Sequence, residues 1–377
     1  MIFAGIIGLM TGCAGTEKSV FTPTVKNIDQ AAFSKVVDGK QVELFTLVGE
    51  GGVGMKVTNF GARVVALCVP DVNGNPVDVV LGFDNLDDYM NAEPETFYGA
   101  SIGRYGNRIA NGRFQIDTVT YQLAQNNGIN HLHGGPKGYF DVVWDAKQVG
   151  DSKIIFTYLS PDGEEGYPGN LEITMIYELT ENNAFKIEYA ATTDKATICN
   201  LTHHSFFNLN GEDDTTINDH VLTIDADYTT PVDAGLIPDG TLAPVEGTPF
   251  DFNQPIAIGE RLDVNNEQLD FGSGYDHNWV LNRTDDGMML AATLFSAKTG
   301  IQMEVITDQP GLQFYGGNFL DGTTVGKSGK PYVFRSGLCL ETQHFPDSPN
   351  HPEFPSTLLM PDETYKHVCV YQFSVVK

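Results

Sequence analysis

Residues Leu171–Asp194 read LEITMIYELTENNAFKIEYAATTD. Two runs with apolar residues at every second position flank a Thr-Glu-Asn-Asn cluster, which is the pattern of an antiparallel hairpin with one buried face. The same unit recurs on either side. KIIFTYLSPDG (Lys153–Gly163), RVVALCVPDVNGN (Arg63–Asn75), GMKVTNFGA (Gly54–Ala62) and VELFTLVG (Val42–Gly49) each alternate and each close on Gly, Pro, Asn or Asp. Only Asn85–Met90 and Ile258–Arg261 suggest short helices. Strands at this spacing, with no helical pattern between them, predict an all-β chain built as a sandwich or barrel. From Val42 onward there is no Pro/Ser-rich linker, no repeat of fixed period and no block of like charge, so one domain is the simplest organisation.

The 377 residues allow one large β domain or two ordinary ones. Abundant Gly (40), Phe (23) and Tyr (15) agree with the strand reading, and a core of this size needs no disulfide staples. A formal net charge of −27 repels nucleic acid and anionic lipid, leaving a neutral small molecule as the better partner. The first thirteen residues, MIFAGIIGLMTGC, are apolar, too short to span a bilayer, and end in small residues before a cysteine. They read as a bacterial lipoprotein signal lipidated at Cys13, although no Lys or Arg precedes the apolar stretch. On that reading residues 1–24 are signal and tether and residues 25–377 are one domain. The protein is then periplasmic and meets a membrane only through the anchor. The alternative, a buried apolar strand, leaves it cytoplasmic. Cys68, Cys199, Cys339 and Cys369 lie in apolar runs without C-x-x-C spacing and read as buried free thiols.

Chemistry-bearing residues gather in five segments: GRYGNRIANGRF (Gly103–Phe114), NHLHGG (Asn130–Gly135), NLTHHSFFNL (Asn200–Leu209), YDHNWVL (Tyr275–Leu281) and ETQHFPD (Glu341–Asp347). Singly, each has a structural explanation: Arg108 as a surface bridge, His133 in a turn closed by Gly-Gly, Asp276 as a turn carboxylate. His131 and His133, two apart, are expected on the same side of a strand, which suits a metal as well as a sugar. His203 and His204 are expected on opposite faces, so only one of them reaches a given site. Glu341 follows an apolar run, where alternation places it inside or at a rim, and a buried carboxylate without a partner is costly unless a site uses it. Zinc-enzyme spacing is absent, as are a G-x-S-x-G elbow and a phosphate loop. A two-carboxylate glycosidase built on Asp276 and Glu341 stays open.

The five segments, in this order, resemble the aldose 1-epimerase (galactose mutarotase) family, whose hallmark N-x-x-x-H-x-[FY]-F-N-L is seen here as NLTHHSFFNL. The resemblance continues through NFGARVVALCVPD, DVVLGFDNLDDY, EEGYPGNL, AGLIPDG and PSTLLMPDETY, and covers about Val42 to Lys377. It implies the large antiparallel sandwich of the galactose mutarotase-like superfamily. It also implies Glu341 as general base, His204 as general acid, and His133, Arg108, Asn107 and Asp276 as sugar-orienting residues. His131 and His203 stay outside the catalytic set but are left as pocket-lining candidates.

The implied reaction opens and recloses the ring of a free aldose such as glucose or galactose, and so interconverts its α and β anomers. A proton leaves the anomeric hydroxyl while another reaches the ring oxygen, so a carboxylate and an imidazolium must flank one edge of the sugar. No cofactor is required and no catalytic metal is expected; a structural metal ion and the oligomeric state are left open. Two other functions fit the same fold. A hexose 6-phosphate epimerase needs a basic cluster, for which Arg104, Arg108 and Arg113 form the one close group of arginines. A non-catalytic sugar-binding protein would have no use for both Glu341 and His204.

Overall fold

The structure, a computed structural model, describes residues 24–376; the proposed signal and Cys13 lie outside them. The hairpin expected over Leu171–Asp194 forms. Leu171–Leu179 pairs antiparallel with Ala184–Thr193, from Leu171 opposite Thr193 to Leu179 opposite Phe185. Thr180 donates its N–H to the carbonyl of Ala184 at 2.9 Å, and Asn183 takes the left-handed conformation (φ 61°) that closes the turn. On the first strand Leu171, Ile173, Met175, Tyr177 and Leu179 are buried while the intervening residues are not.

That hairpin belongs to a nine-stranded antiparallel sheet. Its order is Asp145–Val149, Lys153–Ser160, Leu171–Leu179, Ala184–Thr193, Tyr365–Val375, Ile301–Thr307, Met289–Phe295, Val221–Ile224 and Ile256–Ala257. A five-stranded sheet (Ala243–Pro244, Tyr228–Thr230, Asp276–Val280, Gly311–Tyr315, Cys339–Gln343) and a four-stranded one (Leu44–Val48, Gly54–Thr58, Val64–Pro70, Pro76–Asp78) are the next largest, and the described residues also form five two-stranded pairs. The largest apolar cluster joins all three, with Tyr371 and Phe373 from the first, Trp279, Phe314 and Leu340 from the second, and Leu47 and Val57 from the third. Each such large side chain contributes roughly 1.5–3 kcal/mol on leaving water. The Tyr371 hydroxyl donates to the carbonyl of Leu340 at 2.8 Å and ties the two larger sheets together.

The five-stranded sheet decides where the site lies. Alternation sends His277, Trp279, Leu312, Phe314 and Leu340 to the core, so the opposite face carries Asp276 beside Tyr315 and Cys339 in one row, and Asn278 beside Gln313 and Glu341 in the next.

Both expected helical segments are present. Leu86–Met90 is an α-helix capped by the Asn85 side chain, which accepts from the Asp88 N–H, and Ile258–Arg261 is a single 3-10 turn. Another α-helix, Glu267–Gly272, starts at an Asn266 cap and was hidden in a polar stretch too short to show a helical period. All four described cysteines are buried free thiols, as read from their apolar context.

Candidate active site

His204 sits at the end of the short strand Thr202–His204, paired with Ala100–Ile102 so that His204 faces Ala100. Being adjacent on that strand, His203 points the other way. Its ring bonds the Ser205 hydroxyl at 2.7 Å and lies 3.3 Å from the Tyr177 hydroxyl, in the apolar interior. Arg108 lies on Arg108–Ile109, which pairs with His131–Leu132. That second strand ends before His133, whose φ of 52° turns it out of the strand direction. The expected same-side geometry of His131 and His133 therefore does not hold. His131 is held by the Ala124 carbonyl and the Tyr167 hydroxyl, both at 2.7 Å, and takes no part in the cleft.

All six residues expected in the site converge. Asn107, Arg108, His133, His204, Asp276 and Glu341 line one cleft together with Glu95, Phe97, Leu132, Tyr315 and Phe319. His204 Nε2 lies 3.7 Å from Glu341 Oε1, with both side chains almost wholly buried. Among the described residues, none hydrogen-bonds Glu341 Oε2. Burial pushes the Glu341 carboxyl well above the usual carboxylate range, helped by Asp276 and Glu95 and opposed by Arg108. Burial likewise lowers His204 to about 4, and Asp276 pulls in the other direction.

The remaining polar groups hold one another in place. His133 Nδ1 accepts the backbone N–H of Asn107 at 3.1 Å, so its neutral ring carries the proton on Nε2. Desolvation keeps that ring neutral, and His204 and Arg108 reinforce the effect. The Asn107 side chain in turn accepts the Arg108 N–H at 2.9 Å. Arg108 donates through Nε to Asn127 and places Nη2 3.5 Å from Asp276 Oδ2, while Asp276 Oδ1 accepts from Gln313 at 2.7 Å.

Glu95 and Gln313 were missed by sequence reasoning. Glu95 is fixed by the N–H of Phe97 at 3.0 Å and its carboxyl is pushed up to about 7, chiefly by burial. Its place in AEPETF, just before the Gly103–Phe114 segment, was the available hint. Gln313 gave none, because its importance comes from pairing opposite Glu341.

A model of the family described as aldose 1-epimerase matches residues 43–372. The chain belongs to the aldose 1-epimerase family. It is 43% identical over 351 residues to the galactose mutarotase of Homo sapiens, covering 93% of this chain and 99% of that one. It is 40% identical over 338 residues to the aldose 1-epimerase of Escherichia coli (strain K12), covering 89% and 96%. Among solved structures, an aldose epimerase homologue from C. elegans superposes with a TM-score of 0.82 at 29% identity, over 89% of this chain and all of that one. Galactose 1-epimerase from Lactobacillus acidophilus gives 0.79 at 30% identity, over 91% and 97%. The fold is the galactose mutarotase-like sandwich expected from the sequence.

Proposed function

We propose that this aldose 1-epimerase interconverts the anomers of a free sugar with Glu341 as base and His204 as acid. The carrying observation is the 3.7 Å approach of His204 Nε2 to Glu341 Oε1 in a cleft that also presents Asn107, Arg108, His133 and Asp276. Glu341 takes the proton of the anomeric hydroxyl while His204 gives one to the ring oxygen, and the C1–O5 bond breaks to leave an open-chain aldehyde. Rotation about C1–C2 presents the other face of the carbonyl. The same two groups then run in reverse and recover their starting protonation.

The pair holds one proton and zero net charge before and after the transfer, so a dry site tolerates both states. Burial favours the neutral form of each partner, which is the state that accompanies the open-chain sugar. Each placed acid or base contributes roughly 10²–10⁴-fold. The Nε2–H of His133 and the Arg108 guanidinium donate to sugar oxygens as charge develops, and Asp276 accepts from hydroxyls.

Three details support a neutral aldose and catalysis without a metal. Arg104, the arginine that would favour a phosphorylated sugar, is buried and spent on the carbonyls of Ser160, Pro168 and Gly169 and on two hydroxyls. A phosphate entering the cleft would meet three carboxylates, Glu95, Asp276 and Glu341, against the single guanidinium of Arg108. Ligand atoms of His133, His204 and Glu341 lie within 4.8 Å of one another, a donor set that zinc accepts. Yet the Asn107 N–H occupies His133 Nδ1, so Nε2 bears a proton instead of a free lone pair. Polarimetry of fresh α-glucose, α-galactose and α-xylose, with and without the protein, tests the function. Accelerated decay toward the equilibrium rotation is expected for at least one sugar. Decay at the spontaneous rate for all three would leave a binding protein.

A further inference from the structure

We propose that Cys339 is a positioning residue for the acid–base pair, its sulfur accepting the Nδ1–H of His204 and so fixing the tautomer in which Nε2 handles the moving proton. The inference rests on the acid role given to His204 above. Cys339 Sγ lies 3.4 Å from His204 Nδ1, and the residue is fully buried two positions before Glu341 on the same sheet face.

The chemistry asks for this arrangement. His204 loses and regains its proton at Nε2, so Nδ1 must keep its own throughout. A backbone N–H facing Nδ1 would demand a lone pair there and block the imidazolium. A carboxylate would hold the tautomer but stabilise the imidazolium and weaken it as an acid. The ring oxygen of a hemiacetal is a poor base and needs a strong acid. A thiol sulfur is a weak, uncharged acceptor, so it orients the ring and leaves the imidazolium acidic, in keeping with the lowered His204. The Cys339 thiol itself is held neutral, first by burial and then by Glu341, Glu95 and Asp276.

The test compares Cys339→Ala and Cys339→Ser in the full chain, reading kcat and KM for galactose by polarimetry beside the melting temperature. Losing the acceptor in the Ala variant should lower kcat about 3–10-fold, the size of one modest hydrogen bond, with KM moving less than about twofold. The Ser variant, which restores an acceptor, should stay within about threefold of wild type. A folded Ala variant with unchanged kcat overturns the proposal, and so does equal loss in both variants, which would point to side-chain volume. Nitrogen-15 NMR of the His204 ring in the wild-type protein gives a reading independent of any variant. A protonated Nδ1 is expected; an unprotonated Nδ1 in the neutral ring overturns the assignment. A wild-type protein with no epimerase activity would refute the proposed function, a different result from any of these.

Discussion

Glu341→Gln should separate activity from stability. Glu341 is 2% exposed, one carboxyl oxygen is 3.7 Å from His204 and the other has no hydrogen-bond partner among the described residues. Removing the base should cost about 10²–10⁴ in kcat, while sugar binding through Arg108, His133 and Asp276 persists. Stability moves the other way. A carboxyl whose folded pKa is raised binds its proton more tightly in the folded state than in the unfolded one, so its stabilising contribution is fully present below about 4.5 and declines as pH rises through the folded value. Glutamine has no such term. Between pH 5.5 and 7.5 the variant should therefore gain on wild type, by at most about 3 kcal/mol, the limit for one proton over two pH units. At about 2.1 cal/mol/K per residue over roughly 350 residues, that limit is a relative shift in Tm of at most about 4 °C. Any cost of burying the new amide is independent of pH and cancels in the comparison. The assays are thermal melts of both proteins at the two pH values, calorimetric titration with galactose, and polarimetry. A Tm difference that does not change with pH would show Glu341 titrating as an ordinary carboxylate and refute the reasoning; substantial residual activity would remove it as the base.

Arg108→Ala should raise KM more than it lowers kcat, because the guanidinium meets hydroxyls present in ground and transition states alike; a collapsed kcat at unchanged KM contradicts that role. The productive form of the His204–Glu341 pair carries one proton. It is lost on acidification as His204 charges near 4 and on alkalinisation as Glu341 ionises far above its ordinary range. Between pH 5.5 and 7.5, kcat/KM for a neutral aldose should hence fall by much less than the roughly ninefold that ordinary values of about 4.5 and 6.5 would give. We also propose that Cys13, outside the described residues, carries a lipid anchor facing the periplasm. Cys13→Ala should release a soluble, fully active enzyme, and a wild-type protein that takes up no palmitate and fractionates with the cytosol would refute the anchor.

Much of this was legible in the residues. Strict alternation in Leu171–Leu179 wrote both strand and face into the sequence, and the same rule correctly sent His203 and His204 to opposite sides. It failed at His133, where a left-handed residue breaks the two-residue period. Local periodicity cannot announce a reversal of that kind, so His131 kept a place among the lining candidates that its bonds to Ala124 and Tyr167 deny it. Long-range register was invisible for a different reason. Gln313 matters because strand pairing brings it opposite Glu341 and within reach of Asp276, and Cys339 because the fold brings it to His204, and nothing in the local segments encodes those partners. Arg104 looked available for a phosphate because a buried arginine that satisfies carbonyls reads like any other arginine in one dimension.

The central claim is that Glu341 and His204 together open the sugar ring. Exchange spectroscopy on galactose at anomeric equilibrium tests it most directly, because it follows transfer of magnetisation between the α and β anomeric protons with no net change in composition. Wild-type protein should produce exchange far faster than buffer, Glu341→Gln and His204→Ala should each lose most of it, and the double variant should lose little more than either alone, since the two act as one unit. Exchange in the double variant as fast as in wild type would contradict the account.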